Sequence, residues 1–230
     1  MRILILTFTS LILGGCNSDS KMMIVSILQD QTDTLNAPIS IADISGILQF
    51  DQQPQNGAEV RISAINDVGF NKTATIALAE VKNKYVSNEY QRKTKDIPFF
   101  MDSVATAIES WNAGISKMSS SYVIQAIQKE CIYLSNSNAD TKILVISSDL
   151  AENSNFLNMY DDRILQRIKN GDTELFNLVN ERYPLPDDLS DIQVFIHYIP
   201  KDRIKSDEFE IISSFYRQYL TSHNAKFTIN

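Results

Sequence analysis

Asp30-Gln31-Thr32-Asp33-Thr34 follows directly on the apolar run Met22 to Leu28, and Ile143 to Asp149 repeats the arrangement, a short buried-strand pattern that ends in an aspartate. Parallel strands lying side by side bring both carboxylates out at one carboxyl edge, where open α/β sheets place their ligand sites. The hydroxyls of Thr32 and Thr34 add hard oxygen donors of the kind magnesium prefers. The plainer use of the same residue types is helix capping, because Ser, Thr and Asp at strand-to-helix turns are ordinary caps. Asp33 reads as a solvated first-turn carboxylate rather than a ligand.

The elements that must position these residues alternate between strand and helix patterns, which predicts an α/β fold with a largely parallel sheet. Ile39 to Phe50 has helical spacing, weakened by Gly46. Ala58 to Ile65 and Thr73 to Ala79 flank the turn formers Asn66 to Asn71 and predict a hairpin, which would set one antiparallel strand at the sheet edge. From Pro98, the positions Phe100, Val104, Ile108, Trp111 and Ile115 recur at helical intervals, with Trp111 facing the core. Ser119-Ser120-Ser121 predicts an amino-terminal cap for the next helix, which carries Ile124, Ile127, Cys131 and Leu134 on one face. Met159 to Ile168 and Thr173 to Val179 predict two helices separated by Asn170-Gly171. Ile192 to Ile199 predicts a further strand containing His197, read as a structural residue, and Ser206 is expected to cap the last helix.

The first residues read as an address rather than as fold. Arg2 precedes an apolar run from Ile3 to Leu13, too short for a bilayer span of about 20 residues. Leu13-Gly14-Gly15-Cys16 resembles a bacterial lipobox, which implies a signal peptide over 1–15, an acylated Cys16, and a tether over 16–21 before a single domain over 22–230. An ordinary signal peptide with a chance cysteine is the competing interpretation. Lipid chains on one cysteine supply the two hydrophobic signals that stable anchoring requires. Asn17, where an aspartate would signal inner-membrane retention in some bacteria, favours the outer membrane of the cell envelope. About five residues separate Cys16 from the first strand, so the domain would sit within ~20 Å of its membrane.

Composition narrows the functional classes. A 43% hydrophobic content argues against disorder, and a net charge of -7 argues against a nucleic-acid partner. Lys82, Lys84, Arg92, Lys93 and Lys95 form one locally basic stretch, read as a solvated connection. With Cys16 assigned to the lipid, Cys131 has no internal partner and is expected to be a small buried side chain. His197 and His223 are the only histidines, so no histidine- or cysteine-based metal site can be assembled.

Order of elements and polar residues together resemble a von Willebrand factor type A domain with a metal-ion-dependent adhesion site, over nearly the whole chain from Met22 to Ile229. In that family the first strand ends in Asp-x-Ser-x-Ser, which Asp30-Gln-Thr-Asp-Thr34 resembles. Ser121-Tyr-Val-Ile-Gln-Ala-Ile127 is similar to the helix start that supplies a further hydroxyl, and Ile143 to Asp149 is similar to the fourth strand. Threonines replace both serines, the glycine-rich lead-in to Ser121 is absent, and Leu150 stands where the family has glycine.

The resemblance implies a Rossmann-like three-layer α/β/α fold whose mostly parallel sheet has one antiparallel edge strand. It also implies magnesium, or manganese or calcium in its place, on Thr32, Thr34 and Ser121, with Asp30 and Asp149 acting mainly through bound water. An ion with few anionic ligands stays electrophilic and accepts a carboxylate from a protein partner, a recognition function rather than catalysis. The segment Ala151 to Pro186 follows Asp149 and is expected to shape the partner surface.

Two alternatives stand beside it. Asp30-Gln-Thr-Asp-Thr-Leu35 also resembles the phosphorylation motif of haloacid-dehalogenase-like phosphatases, in which Asp30 would be the nucleophile. The acidic residues that such an enzyme needs after a later strand occur only before one, at Asp187, Asp188 and Asp191. The other is a metal-free structural part of an envelope assembly.

Overall fold

The computed structural model describes residues 20–31, 38–66, 73–81, 88–113 and 120–229. Cys16, Thr32, Asp33 and Thr34 lie outside these residues. Six strands form one sheet: β1 (Met22–Asp30), β2 (Gly57–Ile65), β3 (Thr73–Leu78), β4 (Thr141–Ser147), β5 (Ile192–Ile196) and β6 (Lys226–Ile229), in the spatial order β3-β2-β1-β4-β5-β6. All neighbours are parallel except β2 and β3, so the hairpin puts its second strand antiparallel at the edge.

Helices cover both faces, which completes the three-layer α/β/α architecture. Alternation along β1 divides the core, with Ile24 and Leu28 on one side and Val25 and Ile27 on the other. The first side packs against α4 (Val123–Ser135), α5 (Asp162–Lys169), α6 (Thr173–Arg182) and α7 (Arg203–Thr221). The second packs against α1 (Ile41–Leu48) and α3 (Ile97–Ala113), where Trp111 is buried as expected. Cys131 is fully buried in the first core, and burial pushes its thiol up to about 12. No helix among the described residues is long and apolar enough to cross a membrane.

Several local expectations are corrected. The end of the basic stretch is not a solvated connection: Glu89–Gln91 forms a short helix, α2, and Arg92–Asp96 one π-helical turn running into α3. Pro98 explains the widened turn, because its ring cannot donate to, and clashes with, the carbonyl four residues back. Arg92 is buried, with Nε donating to the Pro54 carbonyl at 2.9 Å and Nη2 to that of Asn56 at 2.6 Å. The cap of α7 is Asp202 rather than Ser206; its carboxylate accepts the Lys205 amide at 2.9 Å. Met159 precedes its helix as a buried loop residue, because Asp161 caps α5.

One buried polar cluster ties the central strands to α4. The Glu130 carboxylate accepts Ser26 Oγ at 2.6 Å, Ser63 Oγ at 3.0 Å and Arg61 Nε at 2.9 Å. The Arg61 guanidinium also stacks 4.3 Å from the centre of the Tyr133 ring, whose hydroxyl donates to Glu59. Removing one member of a buried ion pair leaves the other charge uncompensated. Glu130→Ala should therefore lower unfolding free energy by about 3–5 kcal/mol in a denaturant titration, whereas Lys93→Ala, which breaks the exposed Glu89–Lys93 pair, should leave the midpoint nearly unchanged.

Candidate functional site

The pairing of Gln29 with Ser147 leaves Asp30 and Ser148 as the next residues of β1 and β4 at the carboxyl edge. Asp30 is buried to 1% exposure, and its Oδ2 accepts the Ser148 hydroxyl at 2.6 Å. Ser148 Oγ in turn accepts the Leu150 amide at 2.9 Å. The residue that β4 presents to Asp30 is therefore Ser148, one before the expected Asp149.

Asp149 belongs to the same turn but is engaged elsewhere. Its Oδ1 accepts the Ala151 amide at 2.9 Å and its Oδ2 the Tyr160 hydroxyl at 3.3 Å. Asp149 also acts electrostatically on Lys205, whose ammonium pairs with Glu208 at 2.7 Å and lies 5.6 Å from the Tyr160 ring centre. Leu150 adopts φ of +65°, the left-handed conformation that favours glycine, which gives a backbone reason for the glycine of the family pattern. Complete burial of the Leu150 side chain against the α4–α7 core offsets that strain.

Ser121 is not a helix cap. Tyr122 holds that position without a side-chain bond, and Ser121 instead exchanges two 2.9 Å backbone hydrogen bonds with Asn153. The start of α4 is satisfied from a distance by Glu152, whose Oε2 accepts the Ile124 amide at 2.9 Å. Burial lifts the Glu152 carboxyl to about 7, against the pull of the Ser154 hydroxyl and then of the Ile124 and Val123 amides. Two buried atoms here have no hydrogen-bond partner among the described residues, the Ser121 hydroxyl and Glu152 Oε1. The buried Tyr216 hydroxyl of α7 is a third; burial first, then Glu152, Asp149 and Asp30 among its neighbours, raise its pKa well above the ordinary value.

The edge thus gathers Asp30, Ser121, Ser148, Asp149 and Glu152. Ser148, Glu152, Tyr160 and Tyr216 were not anticipated, since each acts through a contact or turn that leaves no local sequence signal. Among the described residues no three His, Cys, Asp or Glu side chains are grouped to hold a metal. A magnesium ion bound mainly through hydroxyls does not require such a group, and an orphaned buried hydroxyl at Ser121 near a buried carboxylate suits that donor set. His197 lies apart, its amide donating to the Ile146 carbonyl at 2.9 Å and its ring lining a cavity of about 170 Å³ with Asp43 and Phe195.

The class that fold and edge define is an open, doubly wound α/β sheet with a polar site at its carboxyl edge. No protein-family model matches the chain, and no curated protein does. Among solved structures it is similar to the human COPII-coat protein Sec24c, at 12% identity and a TM-score of 0.44, over 92% of this chain and 30% of that one. It is also similar to the conserved hypothetical protein BatB of Bacteroides thetaiotaomicron, at 10% identity and a TM-score of 0.37, over 92% of this chain and 90% of that one. The chain spans less than a third of the Sec24c chain.

Two outcomes test this geometry. Leu150→Ala should lower stability by about 2–5 kcal/mol through lost burial, and Leu150→Gly should lower it by about 1 kcal/mol less than alanine does, because glycine relieves the positive φ. Denaturation midpoints that rank glycine below alanine would contradict the strain. For Glu152 the folded-state pKa, about 7, lies above the ordinary 4.5, so its proton is held more tightly in the folded chain. That contribution is complete below pH 4.5 and is lost as pH rises toward 7; Glu152→Gln, which keeps an acceptor for Ile124, should flatten the decline in a pH series of unfolding curves.

Proposed function

We propose that this chain is a lipid-anchored protein of a bacterial cell envelope, at its outer membrane, whose α/β domain binds a protein partner at the carboxyl edge of the sheet. Asp30, Thr32, Thr34, Ser121 and Asp149 would hold a divalent cation there, magnesium first, with manganese or calcium as substitutes. The bound ion would supply an electrophilic position for a carboxylate of the partner. Hydroxyl donors suit this role because they leave the ion's charge largely uncompensated.

The observation that supports the reading most is the orphaned Ser121 hydroxyl, 2% exposed, at the start of α4. A buried hydroxyl without a partner loses free energy that a ligand can restore. Asp30 is buried at the carboxyl end of β1, where Ser148 holds its carboxylate. Asp149 would act through water, its carboxylate being bonded to Ala151 and Tyr160.

Those Asp149 bonds favour a second reading, a metal-free domain serving structurally in an envelope assembly. Calorimetric titration of Mg²⁺ or Mn²⁺ into the full chain separates the two. Ion binding at or below millimolar, abolished by Asp30→Ala and by Ser121→Ala, is expected. Ser121→Ala should not destabilise the ion-free chain and should raise its stability by up to about 1–3 kcal/mol, since no hydrogen bond is lost and an unpartnered buried hydroxyl is removed. Absence of binding at millimolar ion would favour the metal-free reading.

A further inference from the structure

The amino-terminal end of the sheet carries a second feature, opposite the polar site. The first described residues are docked there: the Lys21 amide donates to Asn56 Oδ1 at 3.0 Å, the Lys21 carbonyl accepts the Gly57 amide at 2.9 Å, and Ser20 Oγ donates to Glu80 Oε2 at 3.3 Å. Gly57 is required at this crossing, because a Cβ would meet the Glu80 amide nitrogen at 2.6 Å and Met22 Sδ at 2.8 Å. The Asn56 carbonyl also receives Arg92, which fixes the start of the α2–α3 helix at the same corner.

That corner exposes the two most solvent-accessible large apolar side chains described, Tyr90 at 77% and Phe99 at 74%. Phe99 rims an apolar groove of about 400 Å³ formed with Ile76 to Leu78 of β3, Lys95 and Asp96. Among the described residues of this corner, Lys21, Lys93 and Lys95 stand with Glu80, Glu89 and Asp96, and Lys93 pairs with Glu89 at 2.7 Å, so no large net charge is carried by these side chains. Aromatic side chains beside lysines, without a large net charge, suit the headgroup boundary of a bilayer.

We propose that this corner is a membrane-contacting surface, with Tyr90 and Phe99 inserted at the phospholipid headgroup level. Its occupant follows from where the described chain begins: Cys16, the residue proposed to carry the lipid, lies only four residues before Ser20. The surface rests on the lipid anchor proposed at Cys16, and it adds an orientation to that reading. A nine-residue β1 separates the two ends of the sheet by about 30 Å, so the carboxyl edge with Asp30 and Ser121 points away from the bilayer, toward a partner.

The full chain, produced with its own leader and reconstituted in phosphatidylethanolamine–phosphatidylglycerol vesicles with brominated acyl chains, tests the surface. Phe99→Trp should show at least about twofold more quenching than Ile204→Trp at the start of α7, after subtraction of the Trp111 signal of the unsubstituted chain. Equal quenching of the two variants, with the chain retained through a carbonate wash, would overturn the surface and leave the anchor standing. Preferential quenching at residue 99 with the chain lost in the wash would keep the surface and overturn the anchor. Failure to associate with vesicles at all would overturn both.

Discussion

The parallel register between β1 and β4 is the constraint on which the carboxyl edge depends. Pairing from Met23 with Thr141 to Gln29 with Ser147 brings Asp30 and Ser148 to the edge together, where the Ser148 hydroxyl reaches the carboxylate. The register is held by burial on both faces, since Val25, Ile27, Leu28, Leu144 and Ile146 are almost fully enclosed. A slip by one residue would turn each of these to the opposite core and exchange Asp30 with its neighbour. Nothing else at the edge would survive such a slip, because the turn after β4 is organised by Ser148 and Asp149 accepting the amides that follow them.

From that fixed point the edge departs from local preference in three linked places. Leu150 is held at positive φ, the Ser121 hydroxyl is buried without a partner, and Glu152 is a fully buried carboxylate. Glu152 meets the amino terminus of α4, where free amides and the helix dipole favour negative charge, yet burial still dominates and raises its pKa. Strain and unsatisfied polar groups of this kind persist only where the surrounding structure over-determines them, and here the α4–α7 core does so. Leu150, Ser121 and Glu152 all lie in the turn after β4 and at the start of α4 that meets it.

Most of the architecture was legible in the sequence because its signals are local. The strand run ending at Asp30, the apolar run of β4, which stops at Ser147 two residues short of Asp149, the hairpin from β2 to β3 and the helical stripe through Phe100, Val104, Ile108 and Trp111 all depend on spacing within one element. What was not legible depends on partners far along the chain. Glu152 caps a helix 28 residues earlier, and Arg92, apparently part of a solvated basic stretch, is buried by carbonyls of Pro54 and Asn56. The four residues of β6 are too few to display a period, and Ser206 resembled a cap only because Asp202, three residues upstream of Lys205, supplies the same chemistry sooner. At the carboxyl edge, Asp30 and Asp149 are singled out by the strand patterns they follow and Ser121 by the family resemblance, whereas the meeting of Asp30 with Ser148 rather than Asp149 follows from pleat and register.

The two ends of the sheet divide the proposed labour. One end gathers docked Ser20 and Lys21 with exposed Tyr90 and Phe99, and the other gathers hydroxyls and carboxylates at the carboxyl edge. At the second end, hydroxyl donors are proposed to hold a divalent cation. Diffraction from crystals soaked in Mn²⁺, recorded where manganese scatters anomalously, tests it most directly. An anomalous peak in coordination distance of Ser121 Oγ is expected; a fully soaked crystal with no peak at the carboxyl edge, or with manganese held only by surface carboxylates elsewhere, would show that the edge holds no ion.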